Sequence, residues 1–144
     1  MSKGNVSRQE WADWLWAFKT IHSVVDLDLP LPFSRDASLA MDLSTLPTPR
    51  PTKAPMRFAA DLVGKDTLGA AYVLHGAHCS GGRVMAPILA KRGLPSAHSV
   101  YADKDAVRKW LNTSRSAYDQ QELARETFRC LLATMDEIEA MATN

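Results

Sequence analysis

Apolar residues recur at steps of three and four along most of the chain, which is the spacing of one face of an α-helix. The first of these segments follows the letters SRQE, in which Ser7 and Glu10 have the spacing of a helix capping box. Behind it, one face carries an apolar stripe made of Trp11, Trp14, Leu15, Phe18, Ile21, His22 and Val25. The pattern predicts an amphipathic helix that begins after Ser7 and ends before the letters DLDLPLP.

The same spacing predicts further helices over residues 34–46, 55–64, 67–91 and 117–141. Asp66 or Thr67 is predicted to cap the third of these, and Asp103 or Asp105 to open an additional short helix. The inward residues of the last helix are predicted to be Leu123, Phe128, Leu131, Met135 and Ile138. The letters LPTPRPTKAP are too rich in proline to be helical throughout and predict an extended connection. No segment alternates as a half-buried strand does, so the predicted fold class is all-α.

Composition narrows the class of protein. A chain of 144 residues is the size of one domain, and a net charge of +1 gives no electrostatic support for nucleic acid or a membrane surface as partner. No run of about 18 apolar residues is present, and the polar N-terminal letters lack a signal-peptide core. Cys79 and Cys130 are too few for a disulfide framework and are predicted to be reduced thiols. We therefore expect a cytoplasmic protein.

The most unusual segment has the letters AAYVLHGAHCSGGRVMAPIL, which are apolar enough for a buried helix but include three glycines. Each glycine inside a helix costs about 0.5–1 kcal/mol relative to alanine. Either the helix bends and packs closely at the glycines, or a ligand approaches its backbone. Spacing alone favours packing, and it predicts a bend near Gly81 and Gly82.

Two pairs of side chains in the sequence have spacings that suggest chemistry. His75 and His78 share a helix face next to Cys79 and can approach one metal ion, but no third ligand is evident, so ordinary buried histidines are the simpler interpretation. Arg125 and Arg129 are four residues apart on the last helix. Such a pair usually lies on a solvated face, but it can also bind two carboxylates of one ligand.

The letters LGAAYVLHGAHCSGGRVM resemble the distal-helix motif of the bacterial, biliverdin-producing heme oxygenases, in which LG-x-x-YVL-x-G runs into a GGR/QV segment over the heme face. Three other segments are similar to helices of that family, in the family's order: SRQEWADWLWAFKTIHSVVDLDL, SRDASLAMDLSTL and ELARETFRCLLATMDEIE. The resemblance covers most of the chain. It implies a heme oxygenase-like bundle with a kinked central helix, in which residues 1–144 are a single, N-terminally shortened domain.

The resemblance also implies an activity, the oxidative cleavage of heme to biliverdin, carbon monoxide and ferrous iron, with O2 and an external electron donor. Heme would be both substrate and cofactor, and the protein would orient it while iron does the chemistry. By position, Gly76, Gly81 and Gly82 match the glycines that pack against heme in that family. Arg125 and Arg129 lie where partners of the heme propionates are expected.

Three departures from the family pattern leave a second function open, a non-catalytic heme-binding or protein-interaction domain. The family's proximal histidine lies on a helix before the one that follows Ser7, and only six residues precede Ser7 here. The segment between Gly76 and Gly81 is one residue longer than the family's. His75 and His78 stand where other residues are expected.

A heme-iron ligand would then come from His22, His75 or His78, since His98 is predicted to lie in a connection away from the helix faces. His22 is the first candidate because it lies on the apolar face that would adjoin the absent helix. For each histidine taken singly, a core residue that binds no ligand is the competing interpretation.

The absence of that helix has a second consequence for the apolar stripe on the first predicted helix. The residues Trp11, Trp14 and Phe18 are predicted to face the space that the helix would fill. Because an exposed apolar stripe of this size is normally covered, we expect the chain to self-associate, as a homodimer, or to bind another partner through this helix.

Overall fold

The computed structural model describes residues 5–115 and 120–142, and within these ranges the chain forms six α-helices and no strand. The helices are α1 (Arg8–Val25), α2 (Asp36–Leu43), α3 (Lys53–Leu62), α4 (Leu68–Lys91), α5 (Lys104–Ser114) and α6 (Gln121–Ala142). Short 3-10 turns at Asp26–Asp28, Leu31–Phe33 and Ala97–Ser99 join some of them. The all-α prediction is confirmed, and no described helix is long and apolar enough to cross a membrane.

Helix α1 begins as predicted, with a complete capping box. The Ser7 hydroxyl accepts a hydrogen bond from the Glu10 amide, and the Glu10 carboxylate accepts one from the Ser7 amide, each at 3.0 Å. These bonds satisfy two of the amides that a helix start leaves without partners.

The apolar stripe of α1 lies at the centre of the bundle, where α2, α3, α4 and α6 pack around it. Trp11 is 9% exposed and Phe18 is 6% exposed, while Trp14 is half-buried with its ring 5.0 Å from that of Phe18. The prediction that this stripe is left for a second copy to cover is therefore wrong, because the chain's own helices cover it. The expected homodimer loses the argument on which it was based.

The proline-rich connection between α2 and α3 is held against the bundle by charged side chains. The guanidinium of Arg50 donates to the fully buried carboxylate of Asp13 on α1 at 2.6 and 2.9 Å. At the start of α3, the Glu137 carboxylate of α6 accepts hydrogen bonds from the amides of Lys53 and Ala54. Because the amides at a helix start lack partners within the helix, this carboxylate caps α3 from another element.

The glycine-containing helix α4 is continuous from Leu68 to Lys91, and Gly93 follows its end with a φ of +68°. A Cβ added at Gly82 would lie 2.5 Å from the Cβ of Ser99, so this glycine allows the Ala97–Ser99 turn to approach the helix. A Cβ at Gly81 would meet nothing within 4 Å. Close packing therefore accounts for Gly82 and not for Gly81, and the predicted bend stays a prediction.

Helix α6 agrees with the prediction along its inner face except at one position. Ile138 is fully buried, and the hydroxyls of the buried Thr127 and Thr134 bond to carbonyls of their own helix at 2.8 Å. Phe128, predicted to face inward, is 57% exposed, because the side of α6 that carries it borders an open cavity. The predicted start at Ala117 lies outside the described residues.

Candidate functional site

All four histidines of the chain lie together in the core, each no more than 5% exposed. His22 comes from α1, His75 and His78 from α4, and His98 from the Ala97–Ser99 turn. The ring centre of His22 is 5.0 Å from that of His75 and 5.1 Å from that of His78, which is in turn 5.1 Å from that of His98. The prediction that His98 lies away from the helix faces is wrong, because its turn packs against α2 and α4.

Asp26, directly after α1, joins two of these rings. Its carboxylate lies 3.0 Å from Nδ1 of His22 and 2.8 Å from Nε2 of His75, and it accepts a hydrogen bond from the Arg35 backbone amide at 2.9 Å. Burial by itself would raise the pKa of this carboxyl, but the hydrogen bonds from the two histidines outweigh burial and hold the pKa well below its usual value. Asp26 is therefore an ionised group in the protein interior.

The other ring nitrogens of these two histidines also have partners. Nε2 of His22 lies 2.9 Å from Nε2 of His78, and Nδ1 of His75 lies 2.6 Å from the Tyr101 hydroxyl. Burial lowers the pKa of His22, and it lowers that of His78 further, to well below the usual value. These lowered pKa values favour neutral rings for His22 and His78, and a neutral imidazole donates from one nitrogen and accepts at the other.

Loop residues close the cluster on its outer side. The Arg35 guanidinium donates to the carbonyls of Val100 and His98 at 2.9 and 3.2 Å and lies 3.9 Å from the centre of the Tyr101 ring. His98 bonds through Nδ1 to the buried carboxylate of Asp42 at 2.8 Å. Arg35 thus fixes the segment that carries both His98 and Tyr101.

The sequence interpretation identified the histidines but no third ligand for a metal ion. The structure groups His75 with His22 and Asp26 rather than with His78: these three residues place one ligand atom each within 4.8 Å of one another, and His78 is not among them. The spacing of four between His22 and Asp26 is the signal that was available in the sequence, since residues four apart share a helix face. Cys79, which the sequence placed beside this group, lines a cavity instead.

That cavity has a volume of about 810 Å³ and lies between α4, α5 and α6. We call it the arginine cleft, because Arg83 of α4, Arg108 of α5 and Arg115, which follows α5, line it. Its apolar surface includes Val84, at 66% exposure, and Phe128. A cleft of this size falls within the range of small-molecule and cofactor sites, about 300–1,000 Å³.

The electrostatics of the arginine cleft favour an anion. Among the residues that the structure describes, no acidic side chain lines it and none of Arg83, Arg108 and Arg115 has an acidic partner. Guanidinium groups bind carboxylates and phosphates through two parallel hydrogen bonds. Together with the exposed apolar side chains, they match a ligand that has an apolar body and anionic substituents.

Of the glycines expected to contact heme, Gly76 lines the arginine cleft, while Gly81 and Gly82 lie outside its lining. Arg125 and Arg129 also lie outside it, on the exposed surface of α6, where both bond to Glu122, at 3.3 and 3.4 Å.

The three histidines proposed as iron ligands are absent from the lining of the cleft. Successive residues of a helix point about 100° apart, so Gly76 faces the cleft while His75 points into the core. His22, His75 and His78 all have their partners inside the histidine cluster instead.

Comparisons with known proteins give no further guide to the site: no family model, no curated protein and no solved structure matches the chain.

Proposed function

We propose that the protein is a heme oxygenase-like, non-catalytic domain that binds heme in the arginine cleft. The observation that carries the proposal is the combination, in one cavity of about 810 Å³, of three arginines that have no acidic partner among the described residues and a wall of exposed apolar side chains. The resemblance of α4 to a heme-packing helix names the first ligand to test. Gly76 is the position at which that resemblance and the cleft coincide.

The residues of the cleft fit the organic part of heme. Phe128 and Val84 offer apolar surface to a porphyrin ring, and a Cβ at Gly76 would meet only Leu111 at 3.8 Å, so the helix backbone is accessible there. Arg108 and Arg115 suit the propionates, because a guanidinium bonds a carboxylate through two hydrogen bonds.

The residues that line the arginine cleft also limit which side chains could bind the heme iron. Among the described lining residues, the side chains able to ligate ferric iron are the Tyr72 hydroxyl and the Cys79 thiol, and both groups occur as heme ligands in proteins. Heme supplies redox and oxygen chemistry when it is bound, whereas these residues hold and orient it. Because no histidine lines the cleft, binding without turnover is the preferred form of the proposal.

The test is a titration of the full chain with ferric heme, followed in the visible spectrum, beside a titration with iron-free protoporphyrin. We expect saturable binding of both molecules, since they carry the same two propionates. Arg108→Ala and Arg115→Ala should each raise the Kd by about 1.4- to five-fold, because an exposed ion pair contributes about 0.2–1 kcal/mol. The matched control is Arg125→Ala, which removes an arginine that lies outside the cleft.

Absence of saturable binding of either molecule would overturn the proposal. Equal weakening in Arg125→Ala would place the ligand on the outer surface of α6 and would also overturn it. Formation of biliverdin after addition of a reductant would contradict the non-catalytic form of the proposal. The protein would then cleave heme, which is the activity that the resemblance implies.

A further inference from the structure

We propose that His22, Asp26 and His75 form a binding site for one divalent transition-metal ion in the core of the bundle. This site is separate from the arginine cleft, since none of the three residues lines that cavity. It is independent of the proposed function, because it makes no use of heme. Its basis is a set of three ligand atoms that the fold brings within 4.8 Å of one another.

The distances from the Asp26 carboxylate oxygen to the two histidine nitrogens match those between neighbouring ligands of one ion. With metal–ligand bonds of about 2.0–2.2 Å, two neighbouring ligand atoms lie about 2.8–3.6 Å apart, from octahedral to tetrahedral bond angles. Asp26 Oδ1 lies 3.1 Å from Nδ1 of His22 and 2.8 Å from Nε2 of His75. Both histidine nitrogens therefore lie at ligand spacing from Oδ1, and the two nitrogens lie within 4.8 Å of each other.

Each ligand also has a second partner of the kind that orients metal ligands. A histidine that binds a metal through one nitrogen usually donates a hydrogen bond from the other. His75 can donate from Nδ1 to the Tyr101 hydroxyl at 2.6 Å, and His22 can donate from Nε2 to His78 at 2.9 Å. The second oxygen of Asp26 is held by the Arg35 amide at 2.9 Å.

The donor set indicates which ions the site accepts. Two imidazoles and one carboxylate suit Zn²⁺, Fe²⁺, Co²⁺ and Ni²⁺, whereas Mg²⁺ and Ca²⁺ prefer oxygen ligands. Asp26 supplies one negative charge, which offsets part of the charge of a divalent ion in the protein interior. His22 and His75 are fully buried, so the ion would have to enter during folding or through a local opening of the bundle.

The first experiment uses the unaltered full chain with Co²⁺ as the probe. The protein is unfolded with chelator, freed of metal, and refolded with one equivalent of Co²⁺ or without metal. We expect a visible d–d band from nitrogen and oxygen ligands, without the intense charge-transfer band of a thiolate. Because an ion that binds only the folded state stabilises it, the Tm should rise by about 5 °C or more. Zn²⁺ should displace the Co²⁺ and abolish the band.

Absence of a d–d band together with an unchanged Tm would overturn the proposal without any variant. A thiolate charge-transfer band would also overturn it, because Cys79 or Cys130 would then hold the ion.

Variants locate the ion. Asp26→Asn and His75→Gln should lower Co²⁺ affinity at least ten-fold. The matched control is Asp42→Asn, which alters a second buried carboxylate bonded to a histidine but lies outside the proposed set. Equal loss of Co²⁺ in this control and in Asp26→Asn, with both proteins helical by circular dichroism, would contradict the assignment.

Discussion

The two sides of α4 differ in the burial and the hydrogen-bond partners of their polar side chains. On the inner side, His75 and His78 are buried and have hydrogen-bond partners at 2.6–2.9 Å. On the other side, Arg83 borders an open cavity and has no acidic partner among the described residues. The reason is access to water. A buried polar group without a partner lowers the stability of the protein by about 1–3 kcal/mol, whereas an exposed guanidinium keeps its hydrogen bonds to water. The inner cluster therefore supports the fold, and the outer arginines are available to a ligand.

The largest effect is expected at the centre of the inner cluster. Asp26→Ala removes the acceptor for His22, His75 and the Arg35 amide, and should lower the free energy of unfolding by about 3–5 kcal/mol in metal-free protein. Urea denaturation with chelator present measures it. Asp28→Ala, on the same turn but exposed, is the control and should stay within about 0.5 kcal/mol. Similar losses in both variants would contradict the role of Asp26.

Acid should weaken the inner histidine cluster. Burial lowers the pKa of His78 and His22 below the usual 6.5, so below about pH 6.5 the unfolded chain binds protons that the folded chain does not. The contribution of these two histidines to the free energy of unfolding of metal-free protein should therefore be complete above about pH 6.5. It should fall as the pH drops toward the folded-state pKa values. Urea midpoints at about pH 7.5 and 5.5 test this. An unchanged midpoint would show that the folded cluster accepts protons.

The ion pair between Arg50 and Asp13 lies outside both sites and allows a paired arginine to be compared with the arginines of the cleft. Arg50→Ala leaves the fully buried Asp13 carboxylate without its guanidinium partner and should cost about 1.5–3 kcal/mol. Arg83→Ala and Arg108→Ala, on the cleft, should change the free energy of unfolding by no more than about 0.5 kcal/mol. A large loss of stability at the cleft arginines would mean that they support the fold.

Two adjacent glycines of α4 give an effect of opposite sign. Gly82→Ala brings a Cβ to 2.5 Å from the Cβ of Ser99, and should destabilise the protein by about 1–3 kcal/mol. Gly81→Ala meets nothing within 4 Å and should stabilise it by about 0.5–1 kcal/mol through helix propensity. Thermal unfolding of both variants measures the difference. The same sign in both would refute close packing as the reason for Gly82.

The local features of the fold were accessible from the sequence. The capping box at Ser7 and Glu10, the cap at Asp103 and the long helix ending near Lys91 all depend on residues within a few positions of one another. The same holds for the all-α class, because helical periodicity is a local pattern. These features therefore agree with the structure to within a few residues at each helix end.

The burial of residues whose surroundings come from distant parts of the chain could not be predicted from the sequence. Phe128 has helical spacing with inward residues but borders the arginine cleft, and His98 lies in a connection but is buried by contacts with α2 and α4. Their environment is set by residues far along the chain, on which periodicity carries no information.

The sequence by itself determined which segments are helical and where they begin, because those choices rest on hydrogen bonds and side-chain spacing within one or two turns. Only the tertiary structure decided that Asp26 meets His75, 49 positions further along the chain, and that Gly76 faces a cavity while His75 points into the core. The physical reason is that the pairing of helix faces is selected by burial and by partners for polar groups across the whole bundle.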